Sequence, residues 1–267
     1  MGNKSRYLLC PPDHYRVDYA INPWMGGIVD SKLALLEWLA LEDAIIRSGA
    51  EVAVIDPHPD LPDMVFAANA GCVKDNHVVI SNFKYVERRP EADEYARWFD
   101  ENGFVVHRLP ERLEFEGCGD AEFIDDLLIG GHGFRSDLLA LEITAGVLQA
   151  VDLVPLRLID PRFYHLDTCF RYVGGPDRIA FYYPGAFKTS DIPALEKQCT
   201  LIPIDESDAV QFVCNSIVIG NNVIMPKNNS SVSAKIIDVG FNVTQVAAGE
   251  FMKAGGSLRC LSLDLTK

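Results

Sequence analysis

The 267-residue chain has no pair of cysteines in a Cys-x-x-Cys spacing, which argues against a zinc knuckle. Its seven cysteines (Cys10, Cys72, Cys118, Cys169, Cys199, Cys214 and Cys260) are odd in number and widely spaced, so no disulfide framework is indicated. No uninterrupted apolar run approaches the ~18–20 residues of a membrane span, and Met1 to Leu9 lack a signal-peptide core. The Gly-x-Gly-x-x-Gly and P-loop patterns of nucleotide binding are missing. The six histidines lack ligand spacing, so no metal and no cofactor are expected. Positive charge is scarce: 24 Lys and Arg against 38 Asp and Glu leave a formal charge of −14. Such a field repels nucleic acid and attracts a small cation. These features describe a cytoplasmic protein with reduced thiols, a small-molecule substrate, and neither a nucleic-acid nor a membrane partner. A homo-oligomer is compatible with these features.

What the chain does have is apolar residues, 48% of the total, and a repeat. Short apolar strands begin at Tyr7, Val78, Leu127, Ile179 and Ile217. Each is followed by a helical pattern, over Ser31–Ser48, Glu91–Glu101, Asp137–Val151, Ser190–Gln198 and Ser230–Val239. Asp30 or Ser31 caps the first, and Pro90 opens the second. Gly49, Gly103 and Gly240 follow three of these helices and lead into alternating strands; glycine at that place accepts the positive φ that turns the chain. Five strand–helix–strand units predict an α/β fold with the units around a common axis, residues 1–267 forming a single domain.

Polar clusters fall where strands give way to loops, which is where scaffolds display chemistry. They are Asp63, Phe66 and Asn69 at every third position, Glu116 to Asp120 with two intervening glycines, His165 with Asp167, and Cys260 behind Gly255 and Gly256. On a strand, His165 and Asp167 would share a face. Each cluster lies in a different unit, so a ring of units brings a thiol, an imidazole and carboxylates together. That is a nucleophile–base arrangement.

In combination these motifs resemble the guanidino-modifying cysteine hydrolases of the pentein superfamily: arginine deiminase, dimethylarginine dimethylaminohydrolase, the amidinotransferases and arginine dihydrolase. The matching pieces are Pro62-Asp-x-x-Phe-x-x-Asn69, Glu116-Gly-x-Gly-Asp120, Gly133-Phe-Arg-Ser136, His165-Leu-Asp167 and Gly255-Gly-Ser-Leu-Arg-Cys260. The resemblance implies a five-bladed α/β propeller, which agrees with the repeat count. It implies Cys260 as nucleophile, His165 as general acid and base, and Glu116 and Asp167 as the acids that hold the guanidinium and orient the histidine. It further implies Asp63 and Phe66 in the substrate channel, Arg135 on the substrate carboxylate, and Arg88 or Arg89, with Arg88 preferred, as another substrate-binding arginine. The segment Ile21–Met25 resembles the arginine dihydrolases of cyanobacterial fusion enzymes, which implies Asn22 as a substrate contact. The stretch Asp13 to Gly27 is a lid candidate.

Asn69 is the informative departure. Deiminases and dimethylaminohydrolases resemble one another in carrying aspartate there, whereas asparagine resembles the dihydrolases. A carboxamide offers both a donor and an acceptor, so it suits a neutral ureido group as well as a cation. The expected reaction is therefore arginine dihydrolysis to ornithine, carbon dioxide and two ammonia. The alternatives are deimination to citrulline, dimethylarginine hydrolysis and, more distantly, a non-catalytic arginine-binding pentein. A thiolate next to a bound guanidinium or a protonated His165 is the expected nucleophile.

Overall fold

The computed structural model describes residues 4–266. The ends of the expected single domain, residues 1–3 and 267, lie outside the described residues. In chain order the elements are β1 (Arg6–Leu9), α1 (Ser31–Arg47), β2 (Glu51–Val54), β3 (Gly71–Lys74), β4 (His77–Ile80), α2 (Glu91–Glu101) and β5 (Val105–Arg108). Next come β6 (Ala121–Ile124), β7 (Leu127–His132), α3 (Leu138–Val147), β8 (Asp152–Arg157), β9 (Phe170–Gly174), β10 (Ile179–Tyr182), α4 (Ile192–Glu196) and β11 (Thr200–Pro203). The chain finishes with α5 (Glu206–Ala209), β12 (Ile217–Ile219), β13 (Asn222–Pro226), α6 (Ser230–Asp238), β14 (Asn242–Val246), α7 (Gly249–Met252) and β15 (Ser262–Asp264).

The strands form five three-stranded sheets, ordered β15-β1-β2, β3-β4-β5, β6-β7-β8, β9-β10-β11 and β12-β13-β14. Within each, the first strand runs antiparallel to the second and the second parallel to the third. A helix makes each parallel crossover, as a parallel pair requires. The third strand of each blade is the least buried: β5 and β11 have no buried residue, whereas β6 is buried throughout. The first sheet is built from both ends of the chain, since β15 pairs with β1. That pairing closes a five-bladed α/β propeller.

In four of the five blades the expected strand–helix–strand unit is the second and third strands, with the first strand additional to it. In the fifth unit the assignment was off by one strand. Ile217 to Gly220 is the antiparallel β12, and the strand that precedes α6 is β13. The cause is local: Ile217–Ile219 and Val223–Met225 are equally apolar, and only the two-residue Gly220-Asn221 turn separates β12 from β13. The fourth helix is also shorter than expected, Ile192–Glu196, behind a 3-10 turn at Thr189–Asp191.

Helix boundaries follow the expected chemistry. The Asp30 carboxylate accepts the amides of Lys32 and Leu33, capping α1. Gly49, Gly103 and Gly240 have φ of 97°, 83° and 95°. After α3, which has no glycine at that place, Gln149 takes φ 54° instead. The longer helices α1, α2, α3 and α6 bury apolar residues against the strands. In α2, Tyr95 and Phe99 are wholly buried, each contributing roughly 1.5–3 kcal/mol. The Tyr95 hydroxyl also donates to the carbonyl of Met64, which ties this helix to the turn that presents Asp63 and Asn69. No helix among the described residues is long and apolar enough to cross a membrane.

Candidate active site

Each first strand of a blade is entered through a tight turn, and the residue two places before the strand occupies equivalent positions. Those residues are Asn69, Gly119, Thr168, Asn215 and Cys260. Short backbone bonds hold the turns: Asn69 N to Phe66 O, Gly119 N to Glu116 O, Thr168 N to His165 O and Asn215 N to Phe212 O. Two turns are joined directly, because Ala68 N donates to Cys260 O at 3.0 Å. Gly119 is needed for close approach: a Cβ there would run into Asn69 Nδ2 and crowd the His165 ring.

A cavity of about 10 Å³ is lined by Ile21, Asn22, Asp63, Phe66, Asn69, Arg88, Arg135, Tyr164, Ala254, Gly256 and Cys260. Glu116, His165 and Asp167 sit behind this lining and contact it through Arg135 and Cys260. The structure thus gathers every site residue expected from the sequence. It also separates Arg88, 4% exposed and in the cavity wall, from Arg89, which instead donates to the carbonyls of Phe83 and Lys84. The strand placement of His165 and Asp167 is corrected. A 3-10 turn, Leu166–Thr168, follows His165, and the two side chains reach different partners, Glu116 and Cys260.

The Cys260 sulfur lies 3.1 Å from Asn215 Nδ2 and 3.4 Å from Asp167 Oδ2. Burial and the neighbouring Asp167 carboxylate push the thiol well above its usual range. Burial likewise lifts Asp167 to about 7, against the pull of Arg259. Across the site, one oxygen of Glu116 takes both His165 Nε2 at 2.8 Å and Arg135 Nη1 at 2.7 Å. Burial alone would raise Glu116, but Arg135 and the His165 hydrogen bond bring it down to about 2. Burial depresses His165 to about 4 despite Glu116. That direction favours a neutral imidazole over a protonated one as the resting form of His165. Arg135, expected on a substrate carboxylate, here occupies the acid expected to hold a guanidinium. It is sandwiched between the Tyr85 and Tyr164 rings, 4.7 and 4.5 Å from their centroids.

Asn69 is held on both sides. Its Oδ1 accepts from Arg88 Nη1 at 2.9 Å and its Nδ2 donates to Glu116 O at 3.3 Å. One amide hydrogen and one lone pair remain free for a ligand. Arg88 is fixed in turn by a bidentate pair with Glu91 at 2.9 and 2.8 Å, the strong geometry for guanidinium and carboxylate. Asp63 accepts from Tyr19 OH at 2.9 Å. Three buried carboxylate oxygens, Asp63 Oδ1, Glu116 Oε1 and Asp167 Oδ1, have no hydrogen-bond partner. Buried acceptors are normally satisfied, so the site is short of N–H donors and positive charge. No group of three or more His, Cys, Asp or Glu among the described residues could hold a metal ion.

Asn22 closes the cavity from the Asp13 to Gly27 stretch. Its Nδ2 donates to Ala254 O at 2.9 Å and to Tyr164 OH at 3.3 Å. Sequence reasoning missed Asn215, Glu91, Tyr85 and Tyr164. Asn215 was recoverable in principle, as the fifth unit's counterpart of Asn69. Glu91 stands three residues after Arg88, but one helical turn does not announce a buried pair. Tyr85 and Tyr164 carried no signal.

The model of the eukaryotic N,N dimethylarginine dimethylhydrolase family matches residues 28–267. The chain is 42% identical to the bifunctional arginine dihydrolase/ornithine cyclodeaminase ArgZ of Synechocystis sp., over 100% of this chain and 38% of that protein. It therefore spans little more than a third of that relative. It is 36% identical to the N(G),N(G)-dimethylarginine dimethylaminohydrolase of Mycobacterium tuberculosis, covering 97% of this chain and 85% of the relative. The crystal structure of the ArgZ N-terminal domain, a Cys-to-Ser mutant bound to substrate, superposes with TM-score 0.95 at 42% identity, covering 99% of each chain. From the blade topology and these matches, the chain belongs to the dimethylarginine dimethylhydrolase family of the guanidino-modifying pentein superfamily.

Proposed function

We propose that this protein is an arginine dihydrolase that uses Cys260 as nucleophile, converting arginine to ornithine, carbon dioxide and two ammonia. The observation that carries the reading is the set of three buried carboxylate oxygens without donors around a cavity walled by Cys260 and Asn69. A guanidinium brings a positive charge and several N–H groups in one plane, which is what Glu116 and Asp167 are short of, and the α-ammonium group of the same substrate brings the donors that Asp63 is short of. The arginine dihydrolase activity of the cyanobacterial relative supports the same choice. Residues 1–267 act as one catalytic unit, and seven free cysteines suit the reducing cytoplasm.

The bound cation offsets the Asp167 charge that holds Cys260 protonated, so ionisation is assisted by the substrate. The thiolate attacks the guanidinium carbon. The thiol proton, received first by Asp167, ends on the departing nitrogen with His165 as the acid, and ammonia leaves a planar S-linked thiouronium. His165 then takes a proton from water as the oxygen adds, and collapse returns the thiol and releases citrulline from the sulfur. Asn69 keeps the neutral ureido group in place through its free amide hydrogen, a donor aspartate lacks. A second attack expels the second ammonia, and hydrolysis leaves a carbamate that loses carbon dioxide. Asp63 and Arg88 position the amino-acid end of the substrate, with Asn22 and Phe66 covering it. Arg135 must leave Glu116 as the guanidinium arrives, which frees it for the substrate carboxylate.

The test is product analysis on arginine without added metal. Two ammonia per ornithine support the reading, and citrulline as sole end product replaces it with a deiminase. The family match favours one second reading, hydrolysis of dimethylarginine to citrulline and dimethylamine. Faster turnover of dimethylarginine than of arginine would select it.

A further inference from the structure

The Cys260 sulfur has two side-chain neighbours of opposite character. Asp167 Oδ2, at 3.4 Å, accepts the thiol hydrogen. Asn215 Nδ2, at 3.1 Å, has only hydrogens to give. The orientation of the Asn215 amide is set by its other contacts: Oδ1 accepts Cys260 N at 3.1 Å and Nδ2 also donates to Asp167 O at 3.2 Å. Turning the amide over would set Oδ1 against the Asp167 carbonyl and face NH2 to the Cys260 amide, which the donor inventory disfavours. The Asn215 carbonyl in turn accepts Arg259 N at 3.2 Å, and the residue is wholly buried. Asn215 stands two residues before β12 as Cys260 stands two residues before β15. The repeat therefore places it at a site position, behind the sulfur rather than in the cavity wall.

We propose that Asn215 is a catalytic residue whose Nδ2 hydrogen holds the Cys260 thiolate while its Oδ1 fixes the direction of the sulfur by holding the Cys260 amide. As a thiol, Cys260 gives its hydrogen to Asp167. Once that proton has gone, the sulfur can only accept, and Asp167 repels it. Asn215 then supplies the side-chain hydrogen bond that the charged sulfur needs. A hydrogen bond to a charged acceptor is stronger than one to a neutral acceptor, so this contact favours ionisation. The proposal rests on Cys260 being the nucleophile described above, and it concerns what makes that nucleophile available.

Alkylation of Cys260 by iodoacetamide, located by mass spectrometry and followed against pH, tests it, because the thiolate is the reacting form. Asn215→Asp keeps the shape and the acceptor but removes the donor. Its midpoint should rise by a unit or more, and its rate at pH 7 should fall about tenfold or further. Asn215→Ala should shift the midpoint in the same direction. A folded variant with the wild-type midpoint overturns the proposal. A purely structural Asn215 would lower the melting temperature and leave the midpoint alone. Should neither variant fold, the wild-type protein still decides. The 15N side-chain amide signal of Asn215 should titrate with the alkylation midpoint and stop titrating once Cys260 is alkylated; an indifferent signal overturns the proposal. Iodoacetamide requires no arginine chemistry. A protein that alkylates as expected but leaves arginine intact refutes the proposed function and not the role of Asn215.

Discussion

Asn69 and Asn215 occupy equivalent places in two blades, each two residues before a first strand and each wholly or almost wholly buried. Their settings nevertheless differ. Asn69 is in the cavity wall, with its oxygen turned to the Arg88 cation and one amide hydrogen left free. Asn215 is behind the wall, with its oxygen on a backbone amide and its nitrogen on a sulfur. The same residue type on the same backbone turn thus faces the reactant in one blade and the nucleophile in another. The repeat supplies the position, and the neighbour from the next turn supplies the task.

The most drastic way to break this comparison is to remove what the two asparagines converge on. Cys260→Ser should lower arginine turnover by roughly a thousandfold or more, since the weaker alkoxide precursor cannot replace the thiolate. Steady-state ammonia release measures it, and a variant within tenfold of wild type would remove Cys260 from the mechanism. Next in size is the support of Asn69. Glu91→Gln leaves Arg88 buried without its ion partner. A loss of about 3–5 kcal/mol is expected, read from urea denaturation, with no shift in the alkylation midpoint of Cys260, because only the Asn69 side has been disturbed.

Asn69→Asp sharpens the contrast chemically. The ornithine share of the product should fall about tenfold in favour of citrulline, one lost donor to the ureido oxygen being worth about 1.4 kcal/mol. Chromatography of the products decides it, and an unchanged ratio would move the choice of end product elsewhere. An effect of similar size concerns pH. His165 is depressed to about 4, so the unfolded chain takes up its proton first, and this group costs stability as pH falls from 6.5 to 4. Asp167 is raised to about 7, so the folded protein takes up its proton first, and this group adds stability as pH falls from 7 to 3.8. In the wild type the two oppose each other. Asp167→Asn removes the gain, so this variant should lose more stability than wild type between pH 7 and 5, by about 1–2 kcal/mol. Thermal melts at the two pH values test the sign.

Much of the fold was legible because its signals are local. Asp30 caps α1, Pro90 precedes α2, and Gly49, Gly103 and Gly240 take the positive φ their places demand. The first strands of the blades were not legible as part of the unit. They pair antiparallel to the strand that follows, but their burial comes from neighbouring blades, and short apolar runs such as Ile217–Ile219 and Val223–Met225 look alike without it. The site residues Asn69, Glu116, His165 and Cys260 stood out through motif order. Asn215 did not, since an asparagine before a strand is ordinary until a sulfur is set 3.1 Å from it.

By itself the sequence determined five units, their helix limits and the residue types that could meet: a thiol, an imidazole, carboxylates and a carboxamide. Those follow from periodicity, caps and composition, which act within a few residues. Only the tertiary structure decided that Arg135 rests on Glu116, that Arg88 rather than Arg89 orients Asn69, and that burial pulls the imidazole down. These depend on burial and on partners from other blades, and desolvation is a property of the assembled interior that no stretch of chain carries alone.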